Sequence, residues 1–402
     1  MQYDLNTIKS PPMNTICFST DRKRMYGFSK YYNEFFEVNL QNHKMRSLGK
    51  LEGERDYMNL AFQMEYYDGK IIIIPRMAGC LSIYDCHTGI QQEFKIEDIL
   101  TGIKYNHAGL FFCIYERYLY LIHRNPVIIS RFDLNTFEHR EVYSGASREK
   151  YFLSLFNRVG NYAACFAIEK NELLLFNAEK ERARYIALPK ECAGFISPFF
   201  DGEFVWLYHL ERNLIYKCSL SGELLHEWKL EHNMDPEGLH MVFRLINGGL
   251  FLFPNKQECY YRLEDNRVIM HKCKMAENDI CWLAGDDGNN PFYLCLEWDG
   301  RGGCPHQDMH SIIDLKYRML NLEDDVFEDV LVYTDLQEGM EYVRDKIMQS
   351  FLAFFGKNTT EDETAEVPFQ TFLNVIAYKG AGQKTNVTHS FDTGRSIFKT
   401  VK

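Results

Sequence analysis

One pattern constrains this chain more than any other. An apolar strand, a tight polar turn and a second strand recur seven times between about Asn14 and Leu322. The clearest copies are Tyr84-Asp85-Cys86-His87-Thr88-Gly89 and Phe132-Asp133-Leu134-Asn135-Thr136-Phe137, each entered by an apolar run. The residues that open the turns are Asn39, Asp85, Asp133, Asn177, Ser219, Glu264 and Asp314, at intervals of 46, 48, 44, 42, 45 and 50. Asp or Asn at such a position accepts hydrogen bonds from backbone amides two residues on, and Gly89 and Gly222 supply the positive φ of a short hairpin.

Ahead of each hairpin lies another pair of short strands. Ala61–Tyr66 and Lys70–Pro75 are split by Tyr67-Asp68-Gly69, Ile196–Phe200 and Glu203–Tyr208 by Asp201-Gly202, and Met241–Ile246 and Gly249–Pro254 by Asn247-Gly248. Four strands in about 45 residues is the period of a propeller blade. No helix of a dozen residues fits between the strands, as a βαβ unit requires. A β-sandwich shares the strand spacing but does not repeat a turn signature at a fixed period. The expected fold is therefore all-β, a seven-bladed β-propeller over residues 14–322. Six blades remain open if an outer unit lies apart, and eight if the tail holds another.

By pattern, the hairpins over 14–322 resemble kelch-like and quinoprotein-like propeller repeats, in which the third strand often ends Tyr-Asp-x-x-Thr-Gly, as at Tyr84–Gly89. There is no recurring Gly-Gly pair and no tryptophan at a fixed blade position, and Trp298-Asp299 is a single occurrence rather than a WD40 series. The resemblance implies an architecture and assigns no activity.

Composition narrows the function. With 45 basic and 56 acidic side chains the net charge is −11, against the basic footprint that nucleic-acid binding needs. Apolar runs such as Ile71–Pro75 and Leu110–Tyr115 have strand length, so no membrane association is expected. The first twelve residues are polar, with no secretory h-region. The twelve cysteines form no CxxC pair and several sit in apolar runs. A cytoplasmic, reduced protein is expected, in which the sequon Asn386-Val387-Thr388 carries no meaning.

Residues 323–402 read as an acidic linker and a helical extension. Glu323–Asp329 is acidic and leads into the apolar run Val330–Tyr333. Met340, Val343, Ile347, Phe351 and Phe354 form one helical stripe over Gln337–Phe355, and a second short helix is expected between Pro368 and Gly380. The stripe suits either packing on the propeller or docking of a partner or second subunit.

Candidate site residues come from one column and one loop. Nine residues before the first three markers stand Lys30, Arg76 and Arg124, with Lys170, Arg212 and Lys256 near the same place in later units, and His123 and His209 beside them. Bases converging at the connection of strands two and three would attract a carboxylate or phosphate, although such residues are also common at solvated turns. The seventh unit carries a long loop, Glu297–His310, where Trp298 and Arg301 are the expected ligand contacts. Cys304, His306, Asp308 and His310 match no standard metal spacing, and neither a metal nor a cofactor is expected.

No Walker loop, GxSxG, HExxH or dinucleotide turn occurs. The leading expectation is a non-enzymatic recognition or scaffold propeller that binds an anionic small molecule, carbohydrate or acidic protein segment. The alternative is a propeller lyase or hydrolase acting on an anionic sugar or related molecule, with His123, His209 or His240 and Glu169 or Asp299 as acid and base. A metal-dependent enzyme using the seventh-unit loop is a third. Oligomeric state stays open.

Overall fold

The computed structural model of the chain describes residues 13, 15–29, 34–51, 61–75, 79–100, 110–145, 153, 155–167, 170–194, 196–230, 241–254, 259–264, 267–273, 279–298, 312–330 and 333–334. The two helices expected in the tail lie outside these residues.

The described strands form seven sheets, each built from four consecutive antiparallel strands. The first holds β1 (Thr15–Phe18), β2 (Arg24–Ser29), β3 (Glu34–Asn39) and β4 (Lys44–Lys50). The second holds β5 (Ala61–Tyr67), β6 (Lys70–Pro75), β7 (Cys80–Asp85) and β8 (Gln91–Lys95), followed by the one-turn helix α1 (Ile96–Ile99). The third holds β9 (Phe111–Tyr115), β10 (Tyr118–Arg124), β11 (Val127–Asp133) and β12 (His139–Ser144). The fourth holds β13 (Leu155–Val159), β14 (Tyr162–Ala167), β15 (Glu172–Asn177) and β16 (Arg182–Ala187). The fifth holds β17 (Ile196–Phe200), β18 (Val205–His209), β19 (Leu214–Cys218) and β20 (Leu224–Lys229). The sixth holds β21 (Met241–Ile246), β22 (Gly249–Pro254), β23 (Cys259–Glu264) and β24 (Arg267–Lys272). The seventh holds β25 (Asp279–Asp286), β26 (Pro291–Trp298), β27 (Ile312–Asn321) and β28 (Val326–Val330). The fold class is a seven-bladed β-propeller.

Burial explains the hydrophobic pattern. Second and third strands such as β6, β14 and β15 are buried along nearly their whole length and read as continuous apolar runs. Fourth strands such as β12, β16 and β20 are mostly exposed and carry the charges. A strand covered on both faces needs no polar alternation, whereas an outer strand meets water.

The turn markers act as expected in five sheets. The Asp85 carboxylate accepts from the amides of His87 and Thr88 at 2.9 and 2.8 Å, and Asp133 accepts from Asn135 and Thr136 at 2.9 and 3.2 Å. Asn39 accepts from Gln41, Asn177 from Lys180, and the Ser219 hydroxyl from Glu223. Gly89 and Gly222 adopt φ of +71° and +84°. The seventh marker is corrected. Asp314 lies inside β27, opposite Glu297, and Asn321 opens the turn by accepting from the Glu323 amide at 3.0 Å. Because β27 is ten residues long, a short sequence window captured its start rather than its end. Strands also continue past Leu322 into the stretch read as an acidic linker, as β28.

The chain divides into two compact units, residues 1–93, 255–260 and 271–402 in one, and 94–254 and 261–270 in the other. In the first, Phe18 and Phe292 bring the first and seventh sheets together at 4.7 Å between ring centroids, and the Met13 amide donates to the Tyr317 hydroxyl. A final two-residue strand, β29 (Tyr333–Thr334), then pairs in parallel with Lys44 and Met45 on the outer edge of β4. In the second unit, a core of Ala164, Phe166, Leu173, Leu207 and Tyr216 joins the fourth and fifth sheets. Glu181 bridges the third and fourth sheets, accepting from Arg131 at 3.0 Å, from the Tyr120 hydroxyl at 3.3 Å and from Arg140.

Candidate functional site

The candidate site residues that fall among the described ones lie where the second strand of a sheet runs into the third. Arg124 ends β10, Lys170 stands between β14 and β15, and Arg212 stands between β18 and β19. Lys170 and Arg212 are exposed.

Arg124 is different: it is buried, with 2% of its surface exposed. Its Nε donates to the Leu153 carbonyl at 2.6 Å and its guanidinium lies 4.8 Å from the Phe111 ring centroid. Arginine tolerates such a site because its flat cation stacks on a ring while its donors find carbonyls. Arg124 thus ties the third sheet to the segment entering the fourth.

His123 is the penultimate residue of β10 and His209 the last of β18, the equivalent second strand, and both are buried. His123 uses Nδ1–H to donate to the Pro126 carbonyl at 2.7 Å, while its Nε2 is buried with no partner among the described residues. His209 adopts the other tautomer. Its Nδ1 accepts from the Arg212 amide at 3.4 Å and its Nε2–H donates to the Ala193 carbonyl at 3.2 Å. Burial depresses both imidazoles below the usual histidine range; Arg124 adds to the effect at His123 and Arg212 at His209, while the carbonyls oppose it. Both rings are held neutral and brace rim loops.

The rim segment 190–194 is built around His209. Arg212 Nη1 donates to the Glu191 carbonyl at 2.7 Å. Gly194, at φ +138°, packs so closely that a Cβ there would lie 2.6 Å from His209 Nε2. Two asparagines complete the scaffold. Asn171 Nδ2 donates to the carbonyls of Leu188 and Pro189, and Asn213 Nδ2 to that of Leu230. Both have positive φ, 52° and 55°, and both stand six residues before their turn marker. That shared offset is the sequence signal for these residues, and it is carried by uncharged side chains.

Lys30, Arg76, Lys256 and Arg301 lie outside the described residues, as do His240, Glu169, Asp299 and the loop residues Cys304, His306, Asp308 and His310. Trp298 is the last residue of β26, opposite Ile312. Among the described residues no group of three His, Cys, Asp or Glu side chains is placed to hold a metal ion, and no helix is long and apolar enough to cross a membrane.

The fold places the chain among β-propellers. No protein family matches it, and neither does any curated protein sequence. Among solved structures it is similar to a catalytically inactive virginiamycin B lyase from Staphylococcus aureus with quinupristin, at 14% identity and a TM-score of 0.53, covering 71% of this chain and 92% of that one. It is also similar to the dihydro-heme d1 dehydrogenase NirN, at 11% identity and a TM-score of 0.52, covering 81% of this chain and 67% of that one. At such identities the likeness carries the architecture and no activity.

Proposed function

We propose that this propeller is a non-enzymatic recognition module that binds an anionic ligand, or an acidic segment of a protein partner, where second strands run into third strands. The observation that carries the reading is the exposure of Lys170 and Arg212 at the same topological position of neighbouring sheets, in a chain of net charge −11. Positive groups repeated on a rigid scaffold concentrate field for a carboxylate or phosphate. His123 and His209 each engage a backbone carbonyl, which supports bracing of that rim rather than proton transfer to a substrate. Lys30 and Arg76 occupy the corresponding sequence positions in the first two repeats.

The test uses the full chain with a fluorescein-labelled hexaglutamate peptide and, separately, inorganic pyrophosphate. Binding to one of them is expected to weaken as salt is raised. In Lys170→Glu/Arg212→Glu it is expected to weaken by about tenfold or more, equivalent to roughly 1.4 kcal/mol. Absence of binding to both probes, or affinity unchanged in the double variant, would overturn the proposal.

A further inference from the structure

Two thiols that the site does not use meet in the core between the fourth and fifth sheets. Cys192 and Cys218 are fully buried, belong to one cluster with Leu188, Leu207 and Tyr216, and bring their sulfurs to 3.7 Å. Both are free thiols. The hydrogen bond with Cys192, and burial after it, push the Cys218 thiol up, so it stays protonated and unreactive while the sheets are packed. A disulfide needs an Sγ–Sγ separation of about 2.05 Å, so the pair stands roughly 1.6 Å short of a bond.

The two cysteines sit on unlike supports. Cys218 ends β19, which is hydrogen-bonded to β18 on one side and to β20 on the other. Cys192 is the one buried residue of the segment 190–194, which is otherwise exposed and whose own backbone forms a single 3-10 turn over Lys190–Cys192. Drawing the sulfurs together therefore moves the segment rather than the sheet. Its carbonyls hold two residues of the site, Glu191 accepting from Arg212 Nη1 and Ala193 from His209 Nε2.

We propose that Cys192 and Cys218 are a thiol–disulfide modification site, at which a small-molecule disulfide such as oxidised glutathione closes an Sγ–Sγ bond that pulls the segment 190–194 off its contacts with Arg212 and His209. When the segment opens, the Cys192 thiolate attacks one glutathione sulfur and the other leaves as a thiolate. The Cys218 thiolate then attacks Cys192 Sγ and expels the second glutathione. Two protein thiols lose two protons and two electrons, and one glutathione disulfide becomes two thiols. Excess reduced glutathione reverses both steps.

The full chain is equilibrated with oxidised glutathione, acid-quenched, alkylated under denaturing conditions and digested with trypsin without reduction for mass spectrometry. Cleavage after Lys190, Arg212 and Lys217 leaves the two cysteines on separate peptides. The expected product links those peptides, and reductant dissolves the link. Alkylation of both thiols, or glutathione left on Cys192 with Cys218 alkylated, overturns the proposal. The imidazole shifts of His209 in NMR spectra of the wild-type chain report the segment. They are expected to differ between the oxidised and reduced forms, and to ignore the oxidant in Cys218→Ser. Unchanged shifts in the linked chain overturn the coupling to the segment, and that comparison needs no variant. Neither readout uses a ligand, so each stands or falls apart from the anion binding proposed above.

Discussion

The backbone amide of Met13 donates to the hydroxyl of Tyr317 at 2.6 Å, joining residues 304 positions apart in one buried bond. Tyr317 lies on β27 with 2% of its surface exposed, so water does not replace the bond if the hydroxyl is removed. Tyr317→Phe keeps the ring and strands a buried donor, at a cost of about 1–3 kcal/mol. Urea denaturation of the two chains measures it. A midpoint equal to wild type would show that the amide finds another acceptor.

Acid should destabilise the fold through the two buried histidines. Burial lowers the folded-state affinity of His123 and His209 for protons, so below about pH 6.5 the unfolded chain takes them up first. The stability present above that pH is therefore lost as pH falls through the histidine range. The carboxylates of Asp85 and Asp133 are likewise shifted downward, from 3.8, and stay ionised over this window. Denaturation midpoints taken between about pH 7.5 and 5.5 should fall steadily. A flat or rising series contradicts the neutral, bracing role of the two rings.

Gly194→Ala tests the packing of the rim. The added methyl meets His209 Nε2 at 2.6 Å, on a backbone at φ +138° that an alanine rarely adopts. Loss of about 1–3 kcal/mol is expected, with the His209–Ala193 hydrogen bond disrupted. The imidazole proton shifts of His209 in NMR spectra report that bond directly, and unchanged shifts refute the contact.

Glu181→Ala removes the acceptor shared by Arg131, Arg140 and Tyr120. The carboxylate is partly exposed, so its pairs are screened, and a loss of about 1 kcal/mol is expected that shrinks in high salt. Denaturation at low and high ionic strength separates this from a packing defect, which would not respond to salt.

The strands were legible in the sequence wherever turn chemistry and apolar runs coincided. Asp85 and Asp133 open their turns as their side chains require, and the hairpins at Gly69, Gly202 and Gly248 fall between the expected strands. Asp314 misled because β27 outruns the usual strand length, leaving a polar residue in its interior. The basic column was legible as positions but not as environments. Arg124 and Arg212 look alike in the repeat, yet one is buried against Phe111 and the other exposed.

By itself the sequence determined a repeated four-stranded unit, the residues that turn it and the apolar strands at its centre. Those properties arise from contacts within some fifty residues, where the side-chain period and a capping carboxylate act locally. Only the tertiary structure decided which base is exposed, which histidine tautomer is required, that Cys192 lies against Cys218, and that Met13 meets Tyr317. These depend on register and on burial between sheets, and a side chain's charge state and partners follow from the neighbours that folding brings to it.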